Sequence, residues 1–311
     1  MSFISEQEAA LKNKIYPQTK KPDFEAFWQR SVDTLRAVPL QVERRRLPTP
    51  YDKTFTTWEL VWNTHDDTRI TAWFSRPNAL EGKLPCVVYY HGGSLKKELY
   101  PDMVSTGVCV LSMDVRGQGG TSPDRGVYDV EYNGGLMTRG VLDKEQFYMR
   151  NIYLDAIRAV DVAATLPEVD PERIVTYGGS QGGALSIVAS ALSGRSKKCY
   201  SNVTSYCCLR RRTELGSRIF GSTHDFLKTH PEHTDTVFDT LTYFDAVNMV
   251  SLLKVPVAFC LGTDDPVCLP EFVYSAYAHA PCEKTLMIVP FSPHLLSRDY
   301  KQFIMNEFSR L

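Results

Sequence analysis

The sequence predicts an α/β fold: a mostly parallel central sheet with helices on both faces. Three observations predict it. Short, mostly apolar runs at 86–90, 108–113, 174–177, 255–261 and 286–289 read as strands buried on both sides. Helical patterns lie between them, the longest at 145–166, where Tyr153, Ile157, Val160 and Ala164 share a face and Asp155, Arg158 and Asp161 fall off it. Strands alternating with helices imply parallel pairing, because each crossover must return over a sheet face.

Residues 1–45 are expected to form an N-terminal helical arm, and 46–311 one α/β domain. In the arm Phe24, Phe27, Trp28, Val32 and Leu35 recur at spacings of three and four, and the aromatic residues are read as exposed. Two strand-like stretches follow, 55–62 and 69–75, joined by a turn at His65-Asp66-Asp67. Pro167 and Pro171 close the long helical region, and Ile174 opens the next strand. A small-residue helix at 184–192 comes directly after a glycine-rich turn.

Composition narrows the function classes. Of 311 residues 43% are apolar and 23% charged, with 35 basic against 36 acidic. Such a balance favours neither nucleic acid nor an anionic membrane. No apolar run approaches the roughly 18–20 residues of a membrane span, and the polar start MSFISEQEAALKNK does not read as a signal peptide. The eight cysteines show no CxxC pair, and Cys86, Cys109 and Cys260 sit in apolar runs. Reduced, buried cysteines in a cytoplasmic protein are expected. The arginine runs 44–46 and 210–212 read as exposed faces or ion pairs. His224, His230 and His233 lack an i, i+4 pair or a cysteine partner, so a helix-end loop is preferred there to zinc.

The stretch Gly178-Gly179-Ser180-Gln181-Gly182-Gly183 carries the chemistry. A strand precedes it and a helix follows. A serine hydroxyl is a weak nucleophile and must be presented to a base. A sharp strand-to-helix turn does this, and side chains two positions either side of the serine would collide across it. The amide of Gln181 then faces the substrate oxygen at the helix N-terminus. Phosphate loops need G-x-G-x-x-G or a Lys-Ser/Thr pair, and neither is present. The partners of such a serine follow in the order acid, histidine. After the strand at 255–261 come Asp264 and Asp265, of which one can serve; after that at 286–289 comes His294, the only histidine past the last strand. His91, His279 and His65 compete poorly by position. The loop His91-Gly92-Gly93-Ser94, after the strand at 86–90, suits a second oxyanion donor.

Arg116-Gly117-Gln118-Gly119, the elbow at 178–183, and Gly262-x-x-Asp265 ahead of His294 resemble carbohydrate esterase family seven, the acetyl xylan esterases and cephalosporin-C deacetylases. Met137-Thr138-Arg139-Gly140, Asp170-Pro171-Glu172-Arg173-Ile174, Phe226-Leu227-Lys228-Thr229-His230 and Tyr243-Phe244-Asp245 are similar too, so the likeness runs from about Pro22 to the end. It implies an α/β-hydrolase fold that removes acetyl groups from xylo-oligosaccharides and related alcohols. It implies Ser180 as nucleophile, Asp265 rather than Asp264 as acid, His294 as base, and the amides of Gln181 and Gly93 as oxyanion donors. It gives the Arg116 loop a mainly structural role. It implies no metal or organic cofactor, a small acetylated substrate, and a ring-like homohexamer. The chain departs from the family in having Gly93 where tyrosine is common, His294-Leu295 where His-Glu is common, and a shorter stretch at 121–135. The pocket opened at Gly93 is expected to stay enlarged unless Tyr89 or Leu295 fills it. Competing functions are a broader short-chain carboxylesterase, an aminopeptidase-like hydrolase on the same fold, or a ligand-binding module on a hydrolase scaffold. The chain leaves no room for a large gating propeller and keeps all three triad members, which weighs against the last two.

Overall fold

The computed structural model describes residues 2–295 and 297–311. Its centre is a nine-stranded sheet in the order β1-β2-β3-β5-β4-β6-β7-β8-β9. In chain order these are β1 (Glu43–Leu47), β2 (Phe55–Asn63), β3 (Arg69–Pro77), β4 (Leu84–Tyr90), β5 (Cys109–Met113), β6 (Val169–Gly179), β7 (Lys198–Asn202), β8 (Val257–Gly262) and β9 (Lys284–Val289). The hairpin β2–β3 pairs antiparallel from Phe55↔Pro77 to Asn63↔Arg69, as its threonine- and tryptophan-rich strands predict. From β5 through β4, β6, β7 and β8 to β9 every pairing is parallel. This is the topology of an α/β hydrolase, an antiparallel start feeding a parallel sheet.

Alternation along the parallel strands fills both faces. Cys86, Val88 and Tyr90 of β4 join one core with the helices Tyr148–Ala163 and Gln181–Leu192. Val87 turns to the other face and packs in a second core with Tyr300, Ile304 and Phe308 of the C-terminal helix Arg298–Phe308. A strand dry on both sides does not show a regular polar/apolar alternation, which is why these runs read as almost wholly apolar.

Several expectations are corrected. β1 begins at Glu43, inside the stretch read as arm, and the arginine run 44–46 forms an exposed edge strand, Arg44 pairing with Glu168 at 2.6 Å and Arg45 with Glu59 at 2.7 Å. β7 has no counterpart among the predicted strands; five residues with a lysine and a serine carry too little apolar signal. The three aromatic residues read as exposed in the arm are buried. Phe24, Phe27 and Trp28 of the helix Phe24–Ala37 are at most 1% exposed, and Trp28 Nε1 donates to the Tyr243 carbonyl at 2.9 Å. That helix also covers the polar side of Tyr148–Ala163. Asp155, Arg158 and Asp161 are buried by different neighbours: Asp161 meets Arg36 of that helix and Arg195, Arg158 donates to the Val38 and Asn63 carbonyls, and Asp155 meets Arg116. All eight cysteines are free, Cys282 alone being partly exposed. No helix among the described residues is long and apolar enough to cross a membrane.

Candidate active site

Ser180 sits between β6 and the helix Gln181–Leu192, with φ 57° and ψ −119°. A non-glycine residue there carries strain of about 1–3 kcal/mol, so its surroundings must hold it. They do so through the backbone. Ser180 N donates to the Asn202 carbonyl at 2.9 Å, and the Ser180 carbonyl accepts from Gly183 N at 3.0 Å and from Ser205 N at 3.0 Å. A Cβ at Gly178 would stand 2.5 Å from the Gly182 carbonyl oxygen, and one at Gly182 would run into the Tyr90 carbonyl. The glycines two places before and after the serine are thus required by close backbone approach, as the turn's geometry demands.

His294 Nδ1 lies 2.8 Å from Asp265 Oδ2, and Asp265 is 2% exposed. The other carboxylate oxygen of Asp265 accepts from the amides of Val267 and Cys268, each at 2.8 Å. With Oδ1 so occupied, Oδ2 is aimed at the ring and fixes the Nδ1–H tautomer. Asp264, by contrast, is exposed and accepts from Thr263 Oγ1 at 3.0 Å. The histidine loop reaches the acid because Gly262 has no side chain; a Cβ there would strike the Ser292 carbonyl oxygen. The Asp265 hydrogen bond, with Cys268 beside the ring, pushes the His294 pKa up to about 9 against the partial burial that lowers it. Asp265, Cys268 and His294 also present donor atoms all within 4.8 Å of one another, a grouping that could hold a metal ion.

A cavity of about 270 Å³ opens beside the serine, lined by Ser180, Gln181 and Gly93 among others. Gln181 N is one of the first amides of its helix, which have no partner within the helix. The structure brings Ser180, Gln181 and Gly93 to one cavity and Asp265 to His294. It does not hydrogen-bond Ser180 to His294 among the described residues. Val267, two residues after the acid, lines the same cavity and links the two groups. Catalytic hydrogen bonds are often long in the absence of substrate. Tyr89 and Leu295, read as possible fillers beside Gly93, are elsewhere: Tyr89 packs on Tyr100 and Tyr177, and Leu295 is 63% exposed.

The Arg116 loop is a brace. Arg116 is fully buried and forks onto Asp155 at 2.6 and 2.7 Å and onto Asp66 at 2.5 and 3.2 Å. Gln118 exchanges hydrogen bonds with the Gln181 side chain at 2.9 and 3.1 Å and accepts from Ser94 N at 2.9 Å. Tyr206 donates to Gln181 Oε1 at 2.7 Å. One side chain therefore joins the loop of Gly93 to the turn of Ser180. Sequence reasoning assigned no role to Gln118 or Tyr206. Gln118 stood in a quoted motif, whereas nothing around Tyr206 signals a site. The other histidines are engaged apart from the serine: His91 Nε2 accepts from Val115 N, His224 Nδ1 meets the Thr213 carbonyl, and His230 and His233 stack on Phe226.

Comparisons with known proteins agree with this architecture. The chain is 29% identical over 288 residues to acetyl esterase Axe7A of Xylanibacter ruminicola, covering 89% of this chain. The chain spans 64% of that curated relative's length. It is similar to the solved acetyl xylan esterase of Paenibacillus sp. R4, at 31% identity and TM-score 0.92, over 100% of this chain and 99% of that one. It is also similar to acetyl xylan esterase 1 of Thermoanaerobacterium sp. JW/SL YS485, at 27% identity and TM-score 0.89, over 100% and 98%. The acetyl xylan esterase (AXE1) family model matches residues 8–310, and the chain belongs to that family.

Proposed function

We propose that this protein is a serine esterase that deacetylates xylo-oligosaccharides and related acetyl esters, cephalosporin C among them, through an acetyl-enzyme. The observation that carries the reading is Ser180 on a strained, backbone-held turn at the wall of a cavity, with an acid–histidine pair beside that cavity. In this reading Ser180 Oγ attacks the acetyl carbonyl while His294 Nε2 takes its proton. Asp265 holds Nδ1–H and stabilises the imidazolium. The amides of Gln181 and Gly93 meet the oxyanion, each contributing about 3–4 kcal/mol. His294 then protonates the leaving alcohol, and water repeats both steps on the acetyl-enzyme. The arm that precedes β1 is docked on the hydrolase body, and the assembly is a cytoplasmic homohexamer; family membership and the free, mostly buried cysteines support this.

A broader short-chain esterase is the second reading, favoured by one observation: Gly93 leaves the cavity wall open, with only Gln181 Oε1 at 4.0 Å from the position of a Cβ. Ser180→Ala should lower kcat on an aryl acetate by several orders of magnitude while the folded circular-dichroism spectrum persists. A fluorophosphonate should label one serine per chain. A label on a different serine, with Ser180 unmodified, would refute the assignment.

A further inference from the structure

Arg212 behaves unlike its two neighbours in the run 210–212. Arg210 and Arg211 are exposed and both reach Glu214 at 3.1 Å. Arg212 is 2% exposed and lines the cavity beside Ser180, which corrects its reading as part of an exposed face. Its Nε donates to the Cys207 carbonyl at 3.0 Å and its Nη1 to the Val267 carbonyl at 2.7 Å, while Nη2 has no hydrogen-bond partner. No carboxylate among the described residues pairs with it. The buried carboxylate in its vicinity, Asp245, is committed to the amides of Cys208, Leu209 and Val247 at 2.7–3.0 Å, and burial pushes its pKa up to about 6.

The Arg212 guanidinium is held by these two carbonyls and lies over the Phe272 ring at 5.4 Å, with no carboxylate among the described residues in direct contact, so in a low-dielectric wall its charge is felt across the cavity. A second cation stands at the rim. Arg218 is exposed and lines the same cavity, and its side chain forms no ion pair or hydrogen bond among the described residues. Its φ is 34°, in the left-handed region. The cavity lining contains these two arginines and neither an aspartate nor a glutamate. A wall meant only for a neutral acetylated sugar has no use for two cations with no acid among the residues that line it. A packing role would account for the two carbonyl contacts of Arg212 but not for Arg218 or for the missing acids.

We propose that the cavity beside Ser180 selects acetyl esters whose alcohol carries a carboxylate, Arg212 supplying a fixed positive field from the buried wall and Arg218 the direct contact at the rim. The substrate class is an acetylated sugar bearing a uronate group. This rests on the ester-hydrolase reading above and adds the charge of the leaving alcohol to it. A carboxylate matches the planar fork of one accessible guanidinium, whereas a phosphate monoester, with more oxygens and a second charge, would leave acceptors unmet.

The test compares methyl 3-O-acetyl-glucopyranosiduronate with methyl 3-O-acetyl-glucopyranoside, which share the scissile ester and differ in the carboxylate. The expected ratio of kcat/KM is about tenfold or more in favour of the uronate, carried mainly by KM and shrinking as salt is raised. Arg218→Met should reduce that ratio by about tenfold, and Arg212→Met should reduce it further. If the guanidiniums serve the oxyanion instead, both esters lose activity together and the ratio stays put, which would overturn the proposal. Should Arg212→Met fail to fold, the wild-type ratio, its salt dependence and Arg218→Met still decide. A wild-type ratio at or below one overturns the inference while leaving the esterase reading intact. Hydrolysis of neither sugar ester nor of an aryl acetate would instead remove the esterase reading and this inference with it.

Discussion

At the scale of single residues, the pair Asp264-Asp265 shows how local context divides two identical side chains. Asp265 is buried under two amides and faces the ring of His294, while Asp264 points to water. Asp265→Asn should lower kcat by about ten-thousandfold, because the amide no longer holds the imidazole in the tautomer that accepts from serine. Asp264→Asn should change kcat little, and a larger loss there would reassign the acid. The charge of Asp265 also sets the pH response. A base works only when neutral, and the imidazolium of His294 is held up to about 9, above the ordinary value near 6.5. The value of kcat/KM should therefore climb with pH past neutrality and level off only near that raised pKa. In Asp265→Asn the residual activity should level off at lower pH, because the main cause of the upward shift is gone. A plateau already reached at pH 6.5 in the wild type would contradict this coupling.

At the scale of elements, the site depends on loops that meet at the ends of β4, β6 and β8. The elbow after β6 is compact because Gly178 and Gly182 let two strand ends and a helix start touch. The loop after β4 is held to it by Gln118, so the two proposed oxyanion amides are positioned by one glutamine. Position 93 is the place where this frame is least filled. Its backbone is outside the left-handed region and the space above it is open, so a larger residue fits without displacing neighbours. Gly93→Tyr should leave acetyl esters as substrates and cut butyryl turnover, raising the acetyl-to-butyryl ratio of kcat/KM by about tenfold. That is the discrimination one or two methylenes provide against a close wall. An unchanged ratio would mean that the acyl group lies on another side of Ser180.

At the scale of the whole molecule, the arm and the body are sewn together. An extended segment between the two arm helices runs over the body, with Tyr16 N donating to Ser275 Oγ at 2.9 Å and Thr19 N to Asn248 Oδ1 at 2.8 Å. Phe24, Phe27 and Trp28 of the arm are spent inside the chain and are not available as contacts between subunits. Other apolar groups are at the surface and sit beside the site: Phe291 is 69% exposed, Leu295 63% and Leu95 59%. Phe291 and Leu295 flank His294, and Leu95 follows the Gly93 loop, so a proposed ring would cover the mouth of the site from these loops. Sedimentation at micromolar concentration should give a sixfold multiple of the 35.2 kDa chain. Leu295→Lys with Phe291→Lys should shift the distribution toward smaller species. A wild-type protein that sediments only as a monomer would refute the assembly.

Sequence alone determined the parallel sheet, the hairpin before it, and the elbow, because these are local facts. Buried strands must be apolar on both faces, and a strand-to-helix turn around a serine admits only glycine at its crowded positions. It also placed Ser180, Asp265 and His294 in chain order, with family resemblance choosing between the two aspartates. What only the tertiary structure decided concerns burial by distant elements. Whether Asp161 meets water depended on a helix more than a hundred residues away, Asp155 depended on the Arg116 loop, and β7 was legible only from the strands that flank it. The run Arg210-Arg211-Arg212 reads as three equal charges, yet helical spacing sets Arg212 with Leu209 and Thr213 on the inward side. A cation's partners come from whichever loops fold over it, and that information is spread along the chain rather than written beside the residue.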